Sequence, residues 1–240
     1  MDKEDLKKIV MLIDADNTQL SKLESVIREV SAYGRIVVKR AYGNWKKQSL
    51  GNWEDELKRL AIRAQQQFDY VTGKNTTDMA LTIDAMTLLH ADDYDAFVLV
   101  SSDSDFTPLA ITLHESGAYV MGVGAKQTPE AFRNSCDEFI FLENLSADAP
   151  DENAAQPDDI KVIHNLLKRA SNKLQDDDGW VLVGDIGNYI KRAKPDFDVR
   201  TYGFPKLSKL IAAFPDKYEL KRVDEGNNSV TLSYRCKYGR

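Results

Sequence analysis

Two stretches decide the fold: Ile9-Val-Met-Leu-Ile-Asp14-Ala-Asp16-Asn17 and Phe97-Val-Leu-Val-Ser-Ser102-Asp103-Ser104-Asp105-Phe106. Each is a short apolar run that ends abruptly in carboxylates. Consecutive apolar residues bounded by polar ones predict a strand that is buried on both faces. Ligands of an open α/β sheet bind where the carboxyl ends of the strands emerge. The two runs therefore predict strands that deliver acidic side chains to one edge of a sheet.

The rest of the first 145 residues alternates between strand and helix patterns. Strands are predicted at Ile9–Ile13, Ile36–Ala41, Phe68–Thr72, Ala96–Val100, Tyr119–Gly122 and Glu138–Leu142. Amphipathic stretches between them predict helices at Ser21–Ser31, Trp53–Gln67, Asp78–His90, Thr107–Ser116 and Pro129–Asn134. Such alternation implies right-handed crossovers. The predicted fold class is α/β, with a Rossmann-like parallel sheet and helices on both faces.

The remaining residues predict a linker and a second, smaller domain. Residues 146–157 are small, polar and acidic with two prolines, a composition typical of a linker. Helical patterns then cover Ile160–Ser171, Asp185–Arg192 and Lys206–Ala213, and two alternating stretches flank Glu225-Gly-Asn-Asn, a hairpin signal. We therefore expect a domain at 1–145, a linker at 146–157 and a winged-helix-like domain at 158–240.

Composition excludes several classes of protein. No apolar run approaches the roughly 18 residues that a membrane span needs, so no membrane association is expected. The charged start of the chain does not resemble a signal peptide, and Cys136 and Cys236 are too far apart for a disulfide framework or a zinc site. A cytoplasmic location is the resulting expectation. The sequence contains no phosphate-binding loop of Walker type, no GxGxxG and no GxSxG.

Charge is unevenly distributed along the chain, whose net charge is −6. Residues 1–145 carry 16 basic and 23 acidic side chains, whereas residues 160–240 carry 16 basic and 10 acidic ones. A basic domain that follows an acidic one suggests a polyanionic partner, although ordinary solvated surfaces also carry such a charge.

Acidic residues from three predicted elements converge on one edge of the sheet. Asp14 and Asp103 follow strands, Asp105 lies beside Asp103, and Asp78 starts a helix after a strand and a glycine turn. Asp14 and Asp105 can each be read as a helix cap instead. Together all these acids would repel one another, and a hard divalent cation such as Mg²⁺ or Mn²⁺ resolves that repulsion. Asp84 lies about 240° round the helix from Asp78 and should not share its face; it is either an outer acid of the site or an ordinary surface acid.

These motifs carry a family resemblance over roughly residues 7–145. The set Ile13-Asp14-x-x-Asn17, Lys74-x-x-x-Asp78 and Ser102-Asp103-Ser104-Asp105-Phe106-x-Pro108-Leu109 resembles the NYN family, a branch of PIN-like ribonucleases that includes LabA-type proteins. The resemblance implies a PIN-like sheet, a metal-dependent acidic site and RNA as substrate. By position it implies metal-binding and catalytic roles for Asp14, Asp78, Asp103 and Asp105, and supporting contacts to substrate from Asn17 and Ser102.

The C-terminal region resembles a second family over roughly residues 158–235. Two stretches resemble the LOTUS (OST-HTH) domain: Gly179-Trp-Val-Leu-Val-Gly-Asp185-Ile-Gly-Asn and Pro195-Asp-Phe-Asp-Val-Arg-Thr-Tyr-Gly203-Phe-Pro-Lys-Leu-Ser-Lys-Leu210. The resemblance implies RNA binding or docking onto a protein partner. We place a phosphate-contacting face on Lys191, Arg192, Lys194, Arg200, Lys206 and Lys209, with solvated helix residues as the alternative. Trp180, Tyr202 and Phe204 are expected in the core rather than stacked on bases.

A third basic and aromatic stretch is Lys39-Arg40-Ala-Tyr42-Gly-Asn-Trp45-Lys46-Lys47. Beside a metal site it would suit single-stranded nucleic acid, and the competing interpretation is a loop with one packed aromatic. We expect Arg40 and Lys74 to contact substrate.

The leading hypothesis is a metal-dependent ribonuclease that acts on single-stranded or structured RNA. One alternative is a non-catalytic RNA-binding or scaffolding regulator. Another is a phosphatase of the haloacid dehalogenase type, because Asp14-Ala-Asp16-Asn-Thr18 matches an Asp-x-Asp-x-Thr motif with Asp14 as nucleophile and Asp16 as acid–base. No cap insertion is visible to support the phosphatase.

Overall fold

A computed structural model describes residues 6–68, 76–91, 93–145, 157–224 and 230–237. The chain divides into two compact units, Met1–Ala147 and Asp148–Arg240. Within the described ranges, no helix combines the length and the apolar character needed to cross a bilayer.

The first unit is built on one parallel sheet, which confirms the predicted fold class. Its strand order is β3-β2-β1-β4-β5-β6, so that β1 and β4 are central neighbours. Ile13 pairs with Val100 in the register of these two strands, and their carboxyl ends therefore emerge side by side. The strands are β1 (Lys8–Asp14), β2 (Arg35–Gly43), β3 (Arg63–Gln66), β4 (Ala96–Val100), β5 (Tyr119–Gly124) and β6 (Glu138–Phe141).

Helices cover both faces of this sheet. Alternate residues of β1 enter different cores: Met11 packs with α1 and α2, whereas Leu12 packs with α3, α4 and α5. Successive strand side chains point to opposite faces, so burial on both faces produces the continuous apolar run seen in the sequence. The helices are α1 (Leu23–Ser31), α2 (Trp53–Arg59), α3 (Thr76–His90), α4 (Thr107–Glu115) and α5 (Glu130–Asn134).

The predicted helix Trp53–Gln67 is wrong beyond Arg59. Ala61 adopts a left-handed φ of 50°, and the Ile62 amide donates to the Leu57 carbonyl oxygen at 2.8 Å. This pairing ends the helix as a Schellman-type cap, and the chain enters β3 at Arg63. The strand predicted at Phe68–Thr72 is also wrong at its start, since Phe68 lies outside any strand; residues 69–72 fall outside the described residues.

The second unit combines helices with a small antiparallel sheet, as expected for a winged-helix-like domain. The sheet order is β7-β9-β8, and both pairings are antiparallel. Its core joins Ile163 and Leu167 with Ile186 and Tyr234. The predicted hairpin turn at Glu225–Asn228 lies outside the described residues. The elements are α6 (Pro157–Leu174), β7 (Val181–Leu182), α7 (Val183–Ala193), α8 (Leu207–Ala212), β8 (Tyr218–Asp224) and β9 (Val230–Cys236).

Candidate metal centre

Three carboxylates meet at the carboxyl edge of the first unit's sheet. Asp78 lies in the first turn of α3, Asp103 follows β4, and Asp105 lies in the short 3-10 helix Ser104–Phe106 that precedes α4. Each offers one oxygen, and these three oxygens lie within 4.8 Å of one another. Asp78 and Asp103 are half-buried and Asp105 is exposed. We call this group the acid triad.

Asp14 stands beside the acid triad in a different environment. It is the last residue of β1 and is fully buried. Its carboxylate accepts hydrogen bonds from Ser101 Oγ at 2.7 Å, Asn17 Nδ2 at 2.9 Å and the Asp16 amide at 3.1 Å. Burial raises the pKa of Asp14, and these donors oppose the rise. The three donors fix the orientation of this carboxylate.

Ser101 is the site residue that sequence reasoning missed. Because Ile13 pairs with Val100, the next residues along the two strands are Asp14 and Ser101. The register of β1 and β4 could therefore have predicted Ser101, because a hydroxyl opposite a buried carboxylate is expected to donate a hydrogen bond to it. Gly124 at the end of β5 permits the close packing, because a Cβ there would lie 2.7 Å from the Ser101 carbonyl oxygen.

Like charges dominate the electrostatics of the acid triad. Burial, followed by the charges of Asp14, Asp103 and Asp105, raises the pKa of Asp78 to about 6. The side chain of Asp78 makes no hydrogen bond or ion pair with the part of the chain that the structure describes. A cation bound here would stabilise the ionised form of the Asp78 carboxylate. The donors are all carboxylate oxygens, a set that fits Mg²⁺ or Mn²⁺ and lacks the histidine and cysteine typical of zinc.

The predicted supporting residues occupy distinct places. Asn17 binds Asp14, as described, and Ser102 Oγ accepts from the Ala125 amide at 2.9 Å, which ties the end of β4 to the end of β5. Asp103 accepts from the Asp105 amide at 2.9 Å and so caps the short 3-10 helix. The capping alternative was expected of Asp105, whereas in the structure Asp103 is the cap and is also a member of the acid triad. Lys74 lies outside the described residues.

Two further acids near the edge are paired with cations. Lys47 Nζ lies 3.2 Å from Asp16, whose carboxylate is also 3.5 Å from Thr77 Oγ1. Arg40, predicted to contact substrate, places its Nη1 2.5 Å from Asp84. Asp84 also accepts a hydrogen bond from the Tyr42 hydroxyl. Asp84 is therefore held by two residues of β2, Arg40 and Tyr42.

Most of the basic and aromatic stretch Lys39–Lys47, which forms the end of β2 and the loop after it, makes contacts within the first unit. Tyr42 is buried, and the Trp45 ring packs against Trp53 with centroids 6.0 Å apart. Lys39 Nζ donates to the Leu60 carbonyl oxygen at 2.6 Å. The competing interpretation expected one packed aromatic in a loop, whereas two aromatics pack and one of them lies in β2; Lys46 is the exposed cation of the stretch.

The predicted basic face of the second unit is partly engaged in ion pairs. Lys194 Nζ lies 2.9 Å from Asp196, and Arg200 Nη2 lies 2.7 Å from Asp198. Lys206 is exposed before α8 and Lys209 is exposed within it. Lys191 and Arg192 lie in the last turn of α7.

The three aromatic residues of this unit divide into two kinds. Tyr202 and Phe204 pack against the core. Trp180 instead contacts one cation from β8 and one from β9. Its ring centroid lies 5.6 Å from Lys221 Nζ and 4.8 Å from Arg235 Cζ.

Comparison with known families agrees with this geometry. Residues 8–143, more than half of the chain, match the model of the NYN domain, and the chain belongs to that family. Residues 158–230 match the model of the OST-HTH/LOTUS domain. A search of curated proteins found no match.

Two solved structures resemble parts of the chain. A protein of unknown function from Vibrio parahaemolyticus is 18% identical, with a TM-score of 0.48, over 59% of this chain and 96% of its own. An uncharacterized protein from Nitrosomonas europaea is 32% identical, with a TM-score of 0.32, over 40% of this chain and 86% of its own. With TM-scores under 0.5, neither likeness bears on function.

Proposed function

We propose that this protein is a metal-dependent ribonuclease whose second unit holds RNA. One observation carries the proposal: the acid triad of Asp78, Asp103 and Asp105 gathers three carboxylate oxygens within 4.8 Å at a ligand-binding edge of the sheet. Membership of the NYN family supports nuclease chemistry, and the OST-HTH/LOTUS match supports association with RNA.

The residues divide the work of such a site among them. Asp78, Asp103 and Asp105 would hold Mg²⁺ or Mn²⁺, and Asp14 would add negative charge from its buried position. A bound divalent ion supplies a water of lowered pKa and neutralises charge on phosphate oxygens. Ser101 and Asn17 keep the Asp14 carboxylate in one orientation through their hydrogen bonds. The Asp105 amide does the same for Asp103.

The second unit would supply affinity for the polyanion. Lys206 is exposed just before α8 and Lys209 is exposed within it, so we assign them the phosphate contacts, together with Lys191 and Arg192. Replacing both Lys206 and Lys209 by Gln should weaken RNA binding and reduce its salt dependence by a slope of about 1.4, the value for two phosphate contacts on a single strand. Unchanged RNA binding would point to a protein partner for this unit.

The decisive experiment compares RNA cleavage by the wild type with that by Asp103→Asn and Asp78→Asn. Each substitution keeps the shape of the side chain and removes one negative charge. With added Mg²⁺ or Mn²⁺ we expect a loss of at least about 100-fold in rate, on the scale of losing an electrostatic stabiliser. Asp55→Asn is the matched control, because Asp55 is an exposed acid on α2.

Each outcome of this comparison has a distinct meaning. Equal cleavage by wild type and Asp103→Asn would defeat the enzyme proposal and identify the cleavage as background. RNA binding by the wild type without any cleavage would favour the non-catalytic RNA-binding alternative.

A further inference from the structure

An exposed aromatic ring lies on the carboxyl edge of the sheet without a role in either core. Phe68 follows β3 by two residues, and 52% of its surface is exposed. Lys46 lies over the ring, with its Nζ 5.1 Å from the ring centroid. A large exposed aromatic contributes little to folding, and an aromatic ring with a cation beside it is a common means of holding a base and its phosphate.

The segment that carries Lys46 is firmly attached to the segment that carries Phe68. The Trp45 amide donates to Gln66 Oε1 at 3.1 Å, and Gln66 Nε2 donates to Asn44 Oδ1 at 3.0 Å. The Gln67 amide donates to the Gly43 carbonyl oxygen at 3.0 Å. The aromatic and the cation are thus positioned by a hydrogen-bonded scaffold rather than by chance proximity.

The same scaffold connects to the acid triad. Lys47, next to Lys46, pairs with Asp16 at 3.2 Å, and the charge of Asp16 is one of those that raise the pKa of Asp78. Two inter-strand steps of about 4.8 Å separate β3 from β1. A third step leads to β4, after which Asp103 and Asp105 follow, so Phe68 and the acids lie at the same edge of the sheet.

We propose that Phe68 and Lys46 form a subsite for one nucleotide of a single-stranded nucleic acid, with the base stacked on Phe68 and a phosphate near Lys46. The inference rests on the proposed ribonuclease function and adds to it the class of substrate. A ring can stack on a base only when the face of that base is free of its neighbours, so a continuous duplex cannot use this subsite. Lys46 also supplies positive charge on the flank of an acidic site that would otherwise repel a polyanion.

The test measures binding by full-length Asp78→Asn protein without divalent metal, so that the probe stays intact. The probe is a 12-nucleotide single-stranded RNA, and the comparison is the same protein with Phe68→Ala. We expect the affinity to fall by about 5-fold to 150-fold, the range for losing one base–aromatic stack. Phe68→Trp should keep the RNA affinity of the protein with Phe68. Ile111→Ala, which truncates an exposed apolar residue on α4, should leave that affinity unchanged.

A second measurement locates the base directly. RNA carrying 5-iodouridine at successive positions is irradiated in the complex, and the crosslinked peptide is identified by mass spectrometry. We expect crosslinks to Phe68 from one or two adjacent positions and none from a blunt duplex of the same sequence. An affinity loss for Phe68→Ala no greater than for Ile111→Ala, or crosslinks that avoid Phe68, would overturn the subsite.

Failure of the subsite and failure of the proposed function are separable. Metal-dependent cleavage by the wild type, lost in Asp78→Asn, with no effect of Phe68→Ala on binding, rejects the subsite alone. Binding that depends on Phe68, with no cleavage by the wild type, rejects the nuclease and retains the subsite.

Discussion

Two acids of the metal centre, Asp14 and Asp78, meet different neighbours from three acids of the second unit. In the second unit, Asp196, Asp198 and Glu219 each lie within 2.9 Å of a lysine or arginine nitrogen. In the first unit, Asp14 is satisfied by neutral donors, and Asp78 faces chiefly other acids. The three acids of the second unit are neutralised by basic residues of the chain itself. The negative charge around Asp14 and Asp78 is neutralised only when a cation is added.

This difference explains why acidic residues alone are a poor guide to function. An acid that pairs with a cation contributes to folding, usually by a modest amount when the pair is exposed. Acids that gather without cations cost folding free energy, and proteins retain such arrangements mainly where a ligand uses them. The contrast predicts opposite responses of the two units to the same chemical change.

Among the tests of this contrast, the largest expected effect comes from removing the neutral donor that holds Asp14. Ser101→Ala takes away the 2.7 Å hydrogen bond and leaves a buried carboxylate under-satisfied. Loss of a partner that supports a metal site from outside typically costs 10-fold to 100-fold in metal affinity, so we expect the Mn²⁺ concentration for half-maximal RNA cleavage to rise by about that factor. Ser25→Ala is a matched control, because Ser25 Oγ accepts from Arg28 at an exposed position of α1. An unchanged metal requirement would show that Asp14 does not depend on its donors.

The sequence predicts those parts of the site that lie on fully buried strands or directly after them. β1 and β4 lie in the middle of the sheet between two cores, and their apolar runs therefore reveal both the strands and the acids that follow them. β3 is an edge strand with the sequence Arg63-Ala-Gln-Gln, exposed or half-buried throughout, and burial leaves no pattern in it. The end of α2 was equally hidden, because Ala61 occupies a left-handed position where glycine is the usual signal.

Partnerships between distant residues were beyond the reach of sequence patterns. Arg40 meets Asp84 from 44 positions away, and its expected contact with substrate gave no hint of that ion pair. Such pairs depend on which helix crosses which strand, and only the assembled topology supplies that information.

Replacing one acid in each unit should change the free energies of unfolding of the two units in opposite directions. Asp78→Asn removes a repelled charge and should raise the free energy of unfolding of metal-free protein by up to about 1 kcal/mol. Asp198→Asn removes the partner of Arg200 and should lower that of the second unit by about 1 kcal/mol. Peptide-level hydrogen exchange reports each unit separately. Stability changes of the same sign would contradict the contrast between the units.

A pH titration sharpens the same contrast. The pKa of Asp78 rises from 3.8 to about 6 on folding, so the folded chain binds its proton more tightly than the unfolded chain does. The associated stability is fully present below pH 3.8 and is lost as the pH rises through about 6. Metal-free protein should therefore show a Tm for the first unit that falls by roughly 2–4 °C between pH 5 and pH 7.

Two controls accompany the titration. Asp78→Asn should remove most of the pH dependence, because it removes the titrating carboxyl. Added Mg²⁺ should reverse its sign, because the ion binds the ionised carboxylates. A Tm that rises between pH 5 and pH 7 in metal-free protein would contradict the assigned repulsion.

The smallest expected effect concerns Asp16, which lies at the acidic edge but has a cation partner, as the acids of the second unit do. Its ion pair with Lys47 is partly exposed, with 37% and 29% of the two side chains accessible, and pairs of this kind contribute about 0–1 kcal/mol. Asp16→Ala should therefore change RNA cleavage by less than about 5-fold. In a phosphatase of the haloacid dehalogenase type, the same residue is the acid–base group, and its loss abolishes turnover. Assaying Asp16→Ala, Asp16→Asn and Asp103→Ala with both RNA and p-nitrophenyl phosphate distinguishes the two: loss of activity confined to the Asp16 variants would replace the nuclease with the phosphatase, because a paired acid would then be the indispensable one.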